Sequence, residues 1–194
     1  AHFRVLPSCM DPLPTPPGGT CQNLMPSRCT GLDMGIRAAK ATTIRNFTVD
    51  EAVFSDNVCG VYANGVLNFE VHNSHFEVGS SKATDLSAQP DEQNWIANGH
   101  WTHRGIYSFK SWGFLVDDNT LTNNPNATTP QLEGIVTGYS EGHNDVVFRN
   151  HASNLHTGFA GEGICADPSN RALIGLTYLC NTNSGNANDI WDRQ

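Results

Sequence analysis

The chain has 194 residues and a mass of 21.1 kDa, enough to bury a full core within one domain. Charged residues make up 15% and the formal net charge is −8, which removes the basic patch that nucleic acid or an anionic membrane surface requires. The sequence has no run of about 18 apolar residues, so no membrane-inserting helix is expected.

The opening Ala1-His2-Phe3-Arg4 is neither a signal peptide nor an initiator methionine, and it reads as the start of a mature product or a fragment. Phe3 and Val5 have the spacing of one short strand. The run from Asp11 to Gly19 is a breaker cluster, because proline withholds a backbone donor and glycine loosens the chain. Cys9, Cys21 and Cys29 lie around it, so residues 1–34 are expected to form an irregular cap, stapled by disulfide, over the unpaired edge of a β core. The six cysteines form no CxxC pair, which argues against a structural metal. Their even number points to disulfides and an oxidising compartment, while Cys59 and Cys180 fit equally well as small buried hydrophobes.

From Gly35 to the end the chain repeats. Phe47-x-Val49-x-x-Ala52-x-Phe54 recurs as Phe69-x-Val71-x-x-Ser74-x-Phe76 and as Phe114-x-Val116-x-x-Asn119-x-Leu121. It continues as Val146-x-Phe148-x-x-His151-x-Ser153 and Leu176-x-Tyr178-x-x-Asn181-x-Asn183. A glycine followed by an apolar residue precedes each: Gly35-Ile36, Gly60-Val61, Gly105-Ile106, Gly134-Ile135 and Gly158-Phe159. The period of two inside each run means alternate side chains face inward, and the variable lengths between runs place insertions at corners. The expectation for residues 35–194 is an all-β fold, a parallel β-helix of five or more coils with three short strands each. Stacking predicts one inward column of Ile36, Val61, Ile106, Ile135 and Phe159 and another of Val49, Val71, Val116, Phe148 and Tyr178. The turn position holds Ala52, Ser74, Asn119, His151 and Asn181, where asparagine suits a tight turn or bonds to its counterpart one coil away.

The Gly-Ile-Tyr opening at Gly105, the run Gly113-Phe-Leu-Val-Asp-Asp-Asn-Thr-Leu121 and the later Asn144-Asp-Val-Val-Phe-Arg-Asn150 resemble right-handed parallel β-helix repeats of the pectate-lyase-like superfamily. More narrowly, they are similar to the β-helix regions of large secreted surface proteins of Bacteroidetes-type bacteria, which often end in a sorting domain for type IX secretion. The resemblance covers about residues 35–191. It implies an extracellular or cell-surface module, part of a larger protein, whose partners are other surface proteins or polysaccharide. It also leaves two functions open, since this fold carries both passive modules and carbohydrate-active enzymes.

The enzyme alternative needs acidic residues on the outer face of adjacent coils, with an arginine base and calcium for a lyase, or a carboxylate pair for a hydrolase. Asp117, Asp118 and Arg104 are the candidates, with Asp50 and Asp145 on other coils, and the set does not close into a pair on spacing alone. A solvated outer face accounts for these aspartates as well. The insertion over residues 77–104 carries Trp95, His100, Trp101 and His103, an aromatic and polar mix suited to binding sugar or protein; the bland alternative is a loop whose tryptophans cover a sheet end. His100 and His103, like His72 and His75, lack a third metal ligand nearby. The expectation is a noncatalytic module with no cofactor, and calcium enters only with a lyase.

Overall fold

The computed structural model describes residues 3–9, 23–39, 46–82, 102–140, 144–165 and 175–193. Among them every regular element is a strand, and the strands fall into three six-stranded parallel sheets and one small antiparallel pair. The first sheet holds β1 (Phe3–Val5), β6 (Phe47–Asp50), β9 (Glu70–His72), β12 (Leu115–Asp117), β15 (Asp145–Phe148) and β18 (Leu176–Leu179). The second holds β4 (Ser27–Thr30), β7 (Ala52–Asn57), β10 (His75–Val78), β13 (Thr120–Asn123), β16 (His151–Ser153) and β19 (Thr182–Ser184). The third holds β5 (Met34–Ala39), β8 (Cys59–Asn64), β11 (His103–Phe109), β14 (Leu132–Gly138), β17 (Thr157–Glu162) and β20 (Asn188–Arg193). Each strand pairs with the one three places on in the main succession, so the chain visits the sheets in turn and stacks coil on coil.

Phe3 and Val5 do form a strand, β1, which pairs with β6, and β4 pairs with β7. Both lie within residues 1–34, where β2 (Ser8–Cys9) and β3 (Leu24–Met25) also make the antiparallel pair. The proline-rich run lies outside the described residues. Cys29, Cys59, Cys165 and Cys180 are free thiols, which corrects the expectation of disulfides at Cys29 and Cys165 and removes the disulfide alternative at Cys59 and Cys180. Cys9 is disulfide-bonded. Cys59 is buried and packs among apolar neighbours, whereas Cys180 is exposed.

The three sheets share one core. Ile36, Val61, Ile106, Ile135 and Phe159 stand in register across the third sheet, as their spacing predicts. In the first sheet Val49, Val71 and Val116 stack as expected, but the next member is Val147, followed by Tyr178. The expected Phe148, His151 and Ser153 are therefore one residue out of phase, and the inward and turn positions belong to Val147, Asn150 and Ala152. The physical reason lies at the head of the coil. Asp145 occupies the place that Phe47, Phe69 and Phe114 hold above it, fully buried, and accepts hydrogen bonds from the Gly113 amide (2.6 Å) and the Ser140 hydroxyl (2.5 Å). A phenylalanine stack with centroids 5.0–5.1 Å apart, Phe3–Phe47–Phe69–Phe114, thus ends on a carboxylate.

The turn after the first sheet is built by a side-chain ladder. The Ala52 amide donates to Ser74 Oγ, the Ser74 amide to Asn119 Oδ1, the Asn119 amide to Asn150 Oδ1 and the Asn150 amide to Asn181 Oδ1, at 2.9–3.1 Å. Each asparagine Nδ2 in turn donates to a carbonyl of the preceding coil: Val71, Val116 and Val147. Buried turn backbone is satisfied by these contacts instead of by water. The left-handed conformation sits one residue earlier, at Glu51, Asn73, Asp118, Arg149 and Cys180. A glycine column marks the opposite corner: a Cβ at Gly60 would lie 2.6 Å from the Gly105 carbonyl, and one at Gly134 would lie 2.4 Å from the Gly158 carbonyl.

Candidate functional site

Two outward faces gather the ionisable residues. On the first sheet, Asp50, His72, Asp117 and Phe148 stand in one column, in register, because each follows an inward residue of its coil. His72 Nδ1 bonds to Asp117, and its Nε2 lies 3.4 Å from Glu70. Burial alone would lower the His72 pKa, but the Asp117 and Glu70 carboxylates outweigh it and raise the value. Asp117 is 16% exposed and Asp118 34%, and Asp118 is ion-paired with Arg149, whose guanidinium lies 4.4 Å from the centre of the Phe148 ring. Both aspartates are thus occupied by neighbours along the stack.

On the third sheet the outer face is buried, and it carries a cluster of which sequence analysis names only Arg104. Arg104 Nε donates to Glu133 Oε2 at 2.8 Å, and Nη2 donates to Glu162 Oε1 at 2.9 Å. The Arg104 and Glu133 side chains are fully buried, and the guanidinium lies 4.1 Å from the centre of the Tyr107 ring. The Tyr107 hydroxyl donates to Glu162 Oε2 at 3.3 Å. Burial pushes the Tyr107 phenol well above its ordinary pKa, so it keeps its proton. For Arg104, burial opposes the charge, and Glu133 with Glu162 more than restores it. Tyr62, Val136, Ala160 and Cys59 pack around this group as a second apolar cluster.

Arg104 is therefore on the third sheet, with its own acidic partners, and it shares none of them with Asp117 or Asp118. His103 precedes it in β11, buried, with its Nδ1 accepting from the Ser80 amide at 3.0 Å. Burial lowers the His103 pKa, against a smaller upward pull from Asp56. Trp95, His100 and Trp101 lie outside the described residues. Among the described residues no group of three His, Cys, Asp or Glu side chains could hold a metal ion.

The Arg104–Glu133 pair had a legible signal. Each residue directly precedes the coil's glycine, a position occupied down the stack by Met34, Cys59, Arg104, Glu133 and Thr157. Opposite charges at the same place on adjacent coils must meet, since parallel strands stack about 4.8 Å apart. As chemistry, the cluster offers a phenol that holds its proton and a guanidinium already shared between two carboxylates. No family model matches the chain, and no curated protein or solved structure matches it either.

Proposed function

We propose that the chain is part of a larger secreted or cell-surface protein, in which a right-handed β-helix serves as a noncatalytic scaffold for adhesion or assembly. The observation that carries this reading is the pairing of the ionisable candidates. Asp117 is bonded to His72, Asp118 to Arg149, and Arg104 to Glu133 and Glu162, so each is engaged within the stack. Right-handedness is what the twist of parallel strands favours in such crossovers. Continuation of the stack is supported by the sixth coil, where Ile190 is 62% exposed in a column whose other members are 0–8% exposed. The resemblance of the coil template to secreted surface proteins supports the extracellular assignment.

A second reading, a carbohydrate-active enzyme, draws on Glu133 and Glu162, which stand on adjacent coils of one face beside Arg104 and Tyr107. Carboxylates so placed are the raw material of glycoside hydrolysis. A turnover screen on acidic and neutral polysaccharides, with and without calcium, separates the two. The scaffold reading expects no product above a buffer control. Turnover that is lost in Glu162→Gln or Asp118→Asn, with the fold intact by circular dichroism, would replace it with the enzyme.

A further inference from the structure

A groove of about 700 Å³ runs along the corner between the second and third sheets, crossing the last three coils. Its walls come from the turns after β13, β16 and β19, and Asn123, Pro130, Asn154, Leu155, His156 and Gly185 define its course. Among the described residues no Asp, Glu, Lys or Arg lines it, although the chain carries thirty such residues, 11 basic and 19 acidic. A charged ligand would lose its hydration there without gaining an opposite charge.

The polar groups that face the groove divide into two kinds. Some are already engaged: Asn186 accepts from the Leu155 amide and donates to the Ala152 carbonyl, and Asn124 accepts from the Asn126 amide and donates to the Gly79 carbonyl. Others are available. Among the described residues the side-chain amides of Asn123 and Asn154 have no hydrogen-bond partner, and both residues are exposed. His156 uses Nδ1 on Thr157 Oγ1, leaving Nε2 as a further polar atom. The Asn154 side chain lies against Gly185, which leaves room for it: a Cβ there would lie 2.7 Å from Asn154 Oδ1. Beside His156, at 6.3 Å between ring centres, lies Trp191, 42% exposed. Pro130, Leu155 and Ala187 supply apolar surface between these polar points.

We infer that this corner groove binds a neutral oligosaccharide. The ligand it fits is uncharged and hydroxyl-rich, with alternating polar edges and C–H faces. Amide groups of Asn123 and Asn154 each offer both a donor and an acceptor to vicinal hydroxyls, and Pro130, Leu155 and Ala187 offer apolar surface to the C–H side of a ring. A peptide strand fits less well. Its affinity comes from main-chain ladder bonds, but the turn backbone here is spent between coils: the Asn154 amide on Ser184, Ala187 on Leu155, Thr128 on Ser80 and Asn188 on His156. Three coils span roughly 10 Å from first to last, the length of about two pyranose rings.

The test is binding by isothermal calorimetry and by chemical-shift perturbation to four probes: cellotetraose, mannotetraose, chitotetraose and tetragalacturonate. At least one neutral probe should bind with a dissociation constant below about 1 mM, with tetragalacturonate weaker. Asn154→Gly, which keeps the left-handed backbone, and Asn123→Ala should each weaken binding roughly three- to tenfold, while Glu70→Gln on the first sheet should leave it unchanged. Failure of all three neutral probes, preference for tetragalacturonate, or binding indifferent to both groove variants would overturn the site. The inference deepens the scaffold reading by naming a ligand, yet the two fail separately. Binding followed by cleavage would keep the groove and remove the noncatalytic reading; absence of binding would remove the groove alone.

Discussion

His72 and His103 are displaced in opposite directions by the same fold, and the difference is one of neighbours. Two carboxylates face His72 along the outer column, while His103 is buried beside a backbone donor. The raised His72 pKa means that its contribution to stability is fully present below its unfolded value, about 6.5, and is lost as pH rises through the folded value. The lowered His103 pKa works the other way: its contribution is present above about 6.5 and is lost as pH falls through the folded value. A proton-resonance titration should therefore place the two imidazoles on either side of the ordinary histidine pKa. Asp117→Asn should bring His72 down and flatten the loss of thermal stability on the alkaline side, leaving the His103 limb as it was. Titration of His72 at or below its ordinary value in the parent protein would contradict the pairing.

At the level of the element, the coil is set by what its corners tolerate. Gly134→Ala would drive a methyl against the Gly158 carbonyl at 2.4 Å, an overpacking expected to cost about 1–3 kcal/mol or more. Gly161→Ala meets nothing closer than 3.9 Å and should be neutral or stabilise by about 0.4–1 kcal/mol through the unfolded chain. Urea denaturation of the two variants checks the contrast, and equal effects would argue against close approach at the glycine corner. The glycines and the columns of Ile36 and Val49 were legible because their spacing repeats without ambiguity. The fifth coil was not, because Val146, Val147 and Phe148 are all apolar and satisfy a period of two in either phase. The polar Asp145 hid the true phase by standing where a phenylalanine was expected. Of the site, the aspartates at 117 and 118 were visible as charges, but their partners His72 and Arg149 come from other coils and emerge only from register. Arg104 was legible as a charge and not as a core group, since a sequence does not announce that an outer sheet face is covered.

The whole molecule is a stack in which each coil touches its neighbours and little else, so stability should vary along its axis. The third and fourth coils contribute fully buried columns, with Ile106, Phe114, Val116, Leu121 and Ile135 at 0–1% exposure. The sixth presents Leu179, Ile190 and Trp191 at 42–62%. Amide hydrogen exchange should show protection greatest in β11 to β14 and least in β18 to β20, measured under conditions where the fold is otherwise native. Uniform protection would mean that the stack unfolds as a single unit.

The buried carboxylate of Asp145 has a further consequence for how the chain finds this arrangement. During folding the fifth coil can dock in two phases, one with Val147 inward and one with Val146 and Phe148 inward, and the second buries more hydrocarbon. Hydrophobic collapse alone would favour the wrong choice. Only the correct phase lets Asp145 reach the Gly113 amide and the Ser140 hydroxyl while Asn150 joins the ladder between Asn119 and Asn181. The polar contacts at the two ends of β15 thus act as proofreading for a strand whose apolar residues cannot discriminate, trading a more greasy core for a single outcome.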